Sequence, residues 1–106
     1  MGKAEFIKDE MELEVLLGSA SVLVVDCMAM WCEPCQLVAP LIDQLAEKYG
    51  DRATILKLNV DENPFVGPRF GVKSIPTVLF FKDGELQTAI TGVKPYETFS
   101  STLESF

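Results

Sequence analysis

The sequence contains no histidine, and this absence removes several kinds of active site. Hydrolases built on a Ser-His-Asp or Cys-His arrangement need an imidazole as the proton acceptor. Zinc sites with imidazole ligands are excluded for the same reason. Cysteine is also scarce, since Cys27, Cys32 and Cys35 are the whole set, and three thiolates do not complete the usual four-ligand structural zinc site. We therefore predict no bound metal.

Basic residues and long apolar runs are scarce as well. Nine Lys and Arg stand against sixteen Asp and Glu, which gives a net charge of −7. Binding to nucleic acid requires concentrated Lys and Arg that neutralise phosphates, so we expect no nucleic-acid partner. No apolar run approaches the ~20 residues of a membrane helix, so we expect no membrane association.

The start of the chain also lacks the apolar stretch of a secretory signal peptide, because residues 1–11 carry charges throughout. We therefore expect the protein in the cytoplasm, or in the plastid stroma if a presequence has been removed. Residues 1–106 contain no repeat, no low-complexity tract and no Pro- or Ser-rich linker. They are predicted to form a single domain and a monomer.

Hydrophobic periodicity predicts an α/β fold. Apolar, β-branched runs predict buried strands, and apolar positions at helical spacing predict helices. The strands are expected at residues 4–7, 22–27, 53–60, 77–81 and 85–91, and the helices at 9–17, 34–49, 65–70 and 95–106. Alternating β-α-β units favour parallel strands covered by helices on both sides, and the hairpin at Asp83-Gly84 adds antiparallel strands at one edge. The expected architecture is a central, mixed, five-stranded sheet flanked by four helices.

The pair Cys32 and Cys35 lies where strand 22–27 passes into the long helix. The free N–H groups and the positive dipole at a helix N-terminus stabilise an anion. We therefore predict a pKa below the free value of ~8.5 for the Cys32 thiol, which makes Cys32 the nucleophile of a dithiol–disulfide exchange and Cys35 the resolving thiol. Half of a zinc knuckle has the same spacing, but no second pair and no histidine accompany it here.

Several further segments resemble the thioredoxin family, in the same order along essentially the whole chain. The matching positions are Val24-Val25-Asp26, Trp31-Cys32-x-Pro34-Cys35 with Pro40, residues 57–61, residues 70–77, residues 80–84 and Gly92. The resemblance implies the thioredoxin fold and a general protein-disulfide reductase with no bound cofactor. Its partners would be disulfide-containing target proteins and a thioredoxin reductase linked to NADPH and flavin or to ferredoxin.

Asp26 ends an otherwise apolar run, and two interpretations are open. An Asp at a strand end can accept hydrogen bonds from nearby backbone N–H groups. A buried carboxyl instead has a raised pKa and can exchange a proton near neutral pH. In the thioredoxin family the acid at this position takes the proton from the second cysteine, and Lys57 is similar to its neighbouring lysine. The resemblance therefore implies catalytic roles for Asp26 and Lys57.

The resemblance also implies a cis peptide bond before Pro76 and a target-docking surface around Cys32. Taken singly, each residue of this surface is better explained as core or turn than as part of a site, whereas the matched set favours a docking surface. The expected docking residues are Trp31, Glu33, Pro34, Ile75, Pro76, Gly92 and Val93.

Four positions depart from the family pattern, among them Met30, which replaces a residue that is commonly polar and is expected to widen the apolar docking face. Glu33 replaces the usual glycine, and its charge opposes a thiolate at Cys32. Because exposed charges a few ångströms apart interact by ~1 kcal/mol or less, we expect a modestly raised thiol pKa and a slightly more reducing couple. Met28 replaces a second tryptophan and is expected to fill the core. Cys27 replaces an aromatic residue and is expected to be a small buried hydrophobe whose side chain points opposite to Asp26.

Three alternatives to a reductase remain at this point. The first is an oxidant or isomerase of secreted disulfides. The second is a binding module that uses the same surface in a larger complex without redox turnover. The third is metal binding through the three thiolates.

Overall fold

The computed structural model describes residues 3–106, which form four helices and a four-stranded sheet. Met1 and Gly2, the first residues of the predicted domain, lie outside this range. The elements in chain order are α1 (Glu10–Ser19), β1 (Val22–Met28), α2 (Glu33–Tyr49), β2 (Thr54–Asn59), α3 (Val66–Phe70), β3 (Thr77–Lys82), β4 (Glu85–Thr91) and α4 (Tyr96–Glu104). The predicted α/β class and the four helices are confirmed.

The prediction of a fifth strand at residues 4–7 was wrong. The segment makes one isolated bridge, in which the Lys57 N–H donates to the Glu5 carbonyl oxygen at 2.8 Å and the Ile7 N–H to the Lys57 carbonyl oxygen at 2.7 Å. Ala4 is buried on one face of the sheet and Ile7 on the other, as expected for extended residues three positions apart. The segment lies against the edge of β2, but its pairing is limited to this one bridge, so it does not become a strand of the sheet.

The strand order is β2-β1-β3-β4, and β1 pairs in parallel with β2 only. The sheet is mixed, as predicted, but the third long strand is antiparallel to β1 and does not continue a parallel series. The reason is the shortness of α3, whose five residues rise by only about 7.5 Å. The chain consequently enters β3 at the edge where β1 ends, with Thr77 opposite Cys27.

The hairpin between β3 and β4 follows from two residues with positive φ. Asp83 has φ of 50° and Gly84 has φ of 83°, the combination that a tight two-residue turn requires. A Cβ on Gly84 would lie 2.7 Å from the Leu17 carbonyl oxygen of α1. This turn therefore fixes the β3–β4 edge and lets α1 pack closely against it.

Alternation along the strands divides the core into two layers. One layer contains Val24 of β1 with the apolar faces of α2 and α4, and the other contains Leu23, Val25 and Cys27 with the apolar faces of α1 and α3. Cys27 thus points away from Asp26, as predicted. Met28 is also buried, in agreement with its expected role in the core. Within residues 3–106, no helix is long and apolar enough to cross a membrane.

Candidate active site

Cys32 and Cys35 form a disulfide at the N-terminus of α2, with their Cα atoms 5.3 Å apart. Cys32 is the N-cap residue, and its Sγ accepts a hydrogen bond from the Cys35 backbone N–H at 3.2 Å. Pro34 occupies the first turn, where its missing N–H removes no helical hydrogen bond. Cys32 is 4% exposed and Cys35 is 0% exposed, so an incoming sulfur meets Cys32 first.

Asp26 lies in β1 on the face that packs against α2, and its side chain is fully buried. Neither carboxyl oxygen has a hydrogen-bond partner among residues 3–106. The alternative in which Asp26 accepts hydrogen bonds from backbone N–H groups is therefore not supported. Burial raises the pKa of Asp26 from 3.8 to about 7; the positive charge of Lys57 acts in the opposite direction, and the negative charge of Asp43 adds to the rise.

Lys57 is the Cα partner of Asp26 in the β1–β2 ladder and is itself only 5% exposed. Its Nζ atom nevertheless forms its ion pair with Asp43 of α2, at 2.9 Å from Oδ1. Sequence reasoning did not identify Asp43. An acidic residue beside the buried stripe of an amphipathic helix is typical of a solvated helix surface, so the pattern alone contains nothing that marks it.

A groove of about 650 Å³ opens beside Cys32. Four of the predicted docking residues line it: Trp31, Glu33, Pro34 and Ile75. The remaining wall comes from the segments around α3, which the prediction missed: Val60, Pro64, Val66, Gly67, Val72, Lys73 and Ser74. Most of these side chains are apolar, so the groove suits an extended, largely apolar segment of a partner.

Gly92 and Val93 do not line this groove, but a backbone contact ties their segment to Pro76. The Ile75–Pro76 peptide bond is cis, and the Gly92 N–H donates to the Pro76 carbonyl oxygen at 2.8 Å. Cys32 Sγ lies 3.9 Å from the Ile75 carbonyl oxygen. Val93, next in the chain, is 48% exposed. These residues lie beside Pro76, and Ile75 connects them to the groove.

Trp31 is 72% exposed, yet its ring is held in place. The indole Nε1–H donates a hydrogen bond to Asp61 Oδ2 at 2.7 Å. Asp61 is a second contact that sequence reasoning missed. A topological clue existed, because Trp31 follows β1, Asp61 follows β2, and the carboxyl ends of parallel strands meet at one edge of the sheet.

The third cysteine is separate from this pair. Cys27 is buried in the layer formed with α1 and α3, whereas Cys32 and Cys35 pack with Met28 and Ala29. Burial raises the pKa of the Cys27 thiol to about 12, and the charge of Asp26 acts in the same direction. In the part of the chain that the structure describes, no three His, Cys, Asp or Glu side chains are grouped so that they could hold a metal ion.

The family of the chain follows from comparison with known proteins. A family model described as thioredoxin matches residues 4–105. The chain belongs to the thioredoxin family. It is 39% identical over 106 residues to the chloroplastic M-type thioredoxin of Pisum sativum, and it spans only 62% of the length of that protein. It is 38% identical over 104 residues to thioredoxin 1 of Synechococcus elongatus, covering 98% of this chain and 97% of that protein.

Solved structures agree with this assignment. A mutant thioredoxin from Halobacterium salinarum superposes with a TM-score of 0.90 at 29% identity, covering 99% of this chain and 92% of that one. Thioredoxins are dithiol–disulfide oxidoreductases, and Cys32 and Cys35 of this family member lie at disulfide distance. The chemistry of the site is therefore exchange between a dithiol and a disulfide.

The burial of Asp26 makes the free energy of unfolding depend on pH. Its pKa is about 7 in the fold against 3.8 ordinarily, so between those two values the folded protein keeps a proton that the unfolded chain has released. The contribution of Asp26 to stability is therefore full below about pH 4 and declines as the pH rises to about 7. Asp26→Asn abolishes this decline and should stabilise the protein above neutral pH by up to about 4 kcal/mol.

Urea unfolding of the oxidised proteins at a series of pH values measures this difference. The exposed Asp51 supplies a control, since Asp51→Asn should follow the wild-type curve in parallel. A constant gap between Asp26→Asn and wild type from acid to neutral pH would contradict the prediction.

Proposed function

We propose that residues 1–106 act as one thioredoxin domain that reduces disulfides in other proteins. The observation that carries this proposal is the Cys32–Cys35 disulfide at the N-terminus of α2, with the more accessible sulfur at the mouth of an apolar groove. The reduced form of such a pair can transfer two electrons to a target disulfide.

In the first step the Cys32 thiolate attacks one sulfur of the target disulfide. A bond forms between Cys32 and that sulfur, and the other target sulfur leaves as a thiolate. The Cys35 N–H, which donates to Cys32 Sγ, and the other free N–H groups of the first turn stabilise the thiolate before it attacks.

In the second step Cys35 releases the target. Its thiol gives a proton to the Asp26 carboxylate and its sulfur attacks Cys32 Sγ, which breaks the mixed disulfide and leaves the second target sulfur as a thiolate. The target is reduced by two electrons, and the Cys32–Cys35 dithiol is oxidised to the disulfide. Asp26 suits this role because its pKa of about 7 lies near the working pH of a proton acceptor.

Target recognition is assigned to the apolar surface around Cys32. The groove accepts the segment of the target that flanks its disulfide, with Trp31, Pro34 and Ile75 as apolar contacts. The segment with Pro76, Gly92 and Val93 contacts the target on the other side of Ile75. An extended target segment can pair with the exposed backbone of such a loop, which gives affinity that is largely independent of sequence.

The dithiol must be regenerated by a partner, because each turnover oxidises it. We assign this step to a thioredoxin reductase, linked either to NADPH and flavin or to ferredoxin, and we infer a monomer that needs no bound cofactor of its own. We place the protein in the cytoplasm or the plastid stroma. The similarity to a relative named chloroplastic and to a cyanobacterial thioredoxin supports this pair of locations.

Trapping tests the order of the two cysteines. Cys35→Ser removes the resolving thiol, so a disulfide-bonded test protein should accumulate on Cys32 as a mixed disulfide. Non-reducing electrophoresis detects this complex as a band that disappears on reduction. The matched variant Cys32→Ser should trap little, because the buried Cys35 is not the attacking group.

Equal trapping by both single variants would reverse or remove the assignment of the nucleophile. In cells that lack the native gene, the double variant Cys32→Ser/Cys35→Ser should fail to restore function. Full restoration would reject the reductase in favour of a binding module.

Asp26→Asn should slow the release of the target by at least about tenfold at neutral pH, since a positioned proton acceptor commonly contributes about 10²-fold or more. Stopped-flow measurement of target reduction by the pre-reduced variant gives the rate. Asp51→Asn should match the wild-type rate. An unchanged rate for Asp26→Asn would remove Asp26 from the mechanism.

Glu33→Gly should lower the pKa of the Cys32 thiol modestly and make the couple slightly less reducing, because a negative charge beside the thiolate is lost. Thiolate absorbance in the ultraviolet measures the titration of the reduced protein. Glu33→Gln separates the charge from the backbone change and should behave in the same direction. Identical titration curves for wild type and both variants would contradict an effect of Glu33.

A further inference from the structure

Two carboxylates, Asp26 and Asp43, lie near Lys57, and its ammonium group pairs with Asp43 although Asp26 is its direct neighbour in the sheet. Lys57 and Asp26 are direct neighbours across the β1–β2 ladder. Both side chains lie on the face of the sheet that packs against α2, as Val24 and Ile55 do two residues earlier in each strand. Even so, Lys57 Nζ lies 2.9 Å from Asp43 Oδ1, and Asp26 has no hydrogen-bond partner among residues 3–106.

Asp43 is anchored independently of Lys57. Its Oδ1 atom also accepts a hydrogen bond from the Ala4 backbone N–H at 2.9 Å, and its side chain remains 29% exposed. Asp43 thus has two hydrogen-bond donors and some contact with solvent, whereas the fully buried Asp26 has no hydrogen-bond partner among residues 3–106. Asp43 is therefore the stronger partner for the ammonium group.

The segment at residues 4–7 holds Lys57 from the other side. The Lys57 backbone exchanges hydrogen bonds with Glu5 and Ile7, and Lys57 Nζ lies 5.8 Å from the centre of the Phe6 ring. The Lys57 side chain is consequently only 7% exposed. The Lys57 ammonium is therefore largely shielded from solvent, and its ion pair is with Asp43.

We propose that Asp43 is a positioning residue for the redox reaction, which holds the Lys57 ammonium away from Asp26 and so keeps the buried acid unpaired. A directly paired Asp26 would be a stabilised carboxylate and a weak proton acceptor. With Lys57 neutralised by Asp43, Asp26 alternates between its acid and carboxylate forms. This inference rests on the proposed role of Asp26 as the proton acceptor.

The charged groups that act on Asp26 are Lys57 from β2 and Asp43 from α2. The other packed elements contribute no charge: β3 sets Val78 opposite Asp26, and α4 presents Phe99 and Leu103 to this layer. The oxidised Cys35 does not titrate. The oxidised protein therefore isolates the effect of the Asp43–Lys57 pair on Asp26.

The test is a carbon-13 NMR titration of the Asp26 carboxyl in the oxidised protein, for wild type and Asp43→Asn. The variant keeps an oxygen acceptor for Ala4 but loses a negative charge, and it releases Lys57 toward Asp26. Both changes favour the charged form of Asp26. The pH at the midpoint of the Asp26 titration curve should therefore fall by about one pH unit or more. An inflection that stays at the wild-type pH or rises would overturn the inference.

Two further variants separate positioning from charge alone. Glu47→Gln removes an exposed carboxylate from the same helix and should leave the inflection unchanged. In a Lys57→Met background the effect of Asp43→Asn should shrink, because no ammonium group remains to be released. An undiminished effect there would mean that Asp43 acts only through its own charge, which would reject the positioning role. Asp43→Ser, with the same charge change and the same expected shift, replaces Asp43→Asn if that variant does not fold.

The carboxyl titration reports on Asp26 whether or not Asp26 takes the proton from Cys35. A shifted titration together with an unchanged exchange rate for Asp26→Asn would reject the proposed proton acceptor, and with it the redox role of Asp43, but would support the placement of the Lys57 ammonium by Asp43. A slowed rate for Asp26→Asn together with an unshifted Asp26 titration would support Asp26 as the proton acceptor and reject the role of Asp43. In the reduced protein, the pH at which target reduction by Asp43→Asn reaches half its maximum should move in the same direction as the titration.

Discussion

The central strand β1 has neither a free edge nor a free face, and the chemistry at its carboxyl end depends on this burial. β2 and β3 occupy its two edges, and a layer of helices covers each face. Water cannot solvate a charge there, which is why the pKa of Asp26 on one face and that of Cys27 on the other are both raised. The strand that forms the centre of the hydrophobic core thus also sets the protonation of the buried acid.

Hydrophobic periodicity was sufficient to predict the strands, helices and hairpin whose local sequence pattern matches their surroundings in the folded protein. β1 and β3 are continuous apolar runs, α2 has one apolar face, and Asp83-Gly84 has the turn chemistry that a tight hairpin needs. The two errors concern relations between distant segments. Residues 4–7 have strand-like composition but pair with β2 at only one bridge, and the direction of β3 depends on the length of α3, which no repeat in the sequence reveals.

The same division applies to the site. The location of Cys32 and Cys35 followed from a strand passing into a helix, and the position of Asp26 followed from its place at the end of an apolar run. Asp43 was not found, because an acid that faces a buried lysine and an acid that faces water have the same local sequence context. Asp61 was missed although its position after β2 places it at the same sheet edge as Trp31. The groove wall around α3 was missed for a related reason, since only the packed fold brings that segment beside Cys32.

The hydrogen bond from Trp31 to Asp61 has a consequence for the speed and range of partner recognition. A large exposed side chain normally loses conformational entropy when a partner covers it. The indole has already lost most of that freedom in the unbound protein, so its apolar area is available at a lower entropic penalty, in the way that rigid aromatic anchors serve antibody loops. A surface preorganised in this manner does not have to remodel itself for each target, which suits the proposed reduction of disulfides in different proteins.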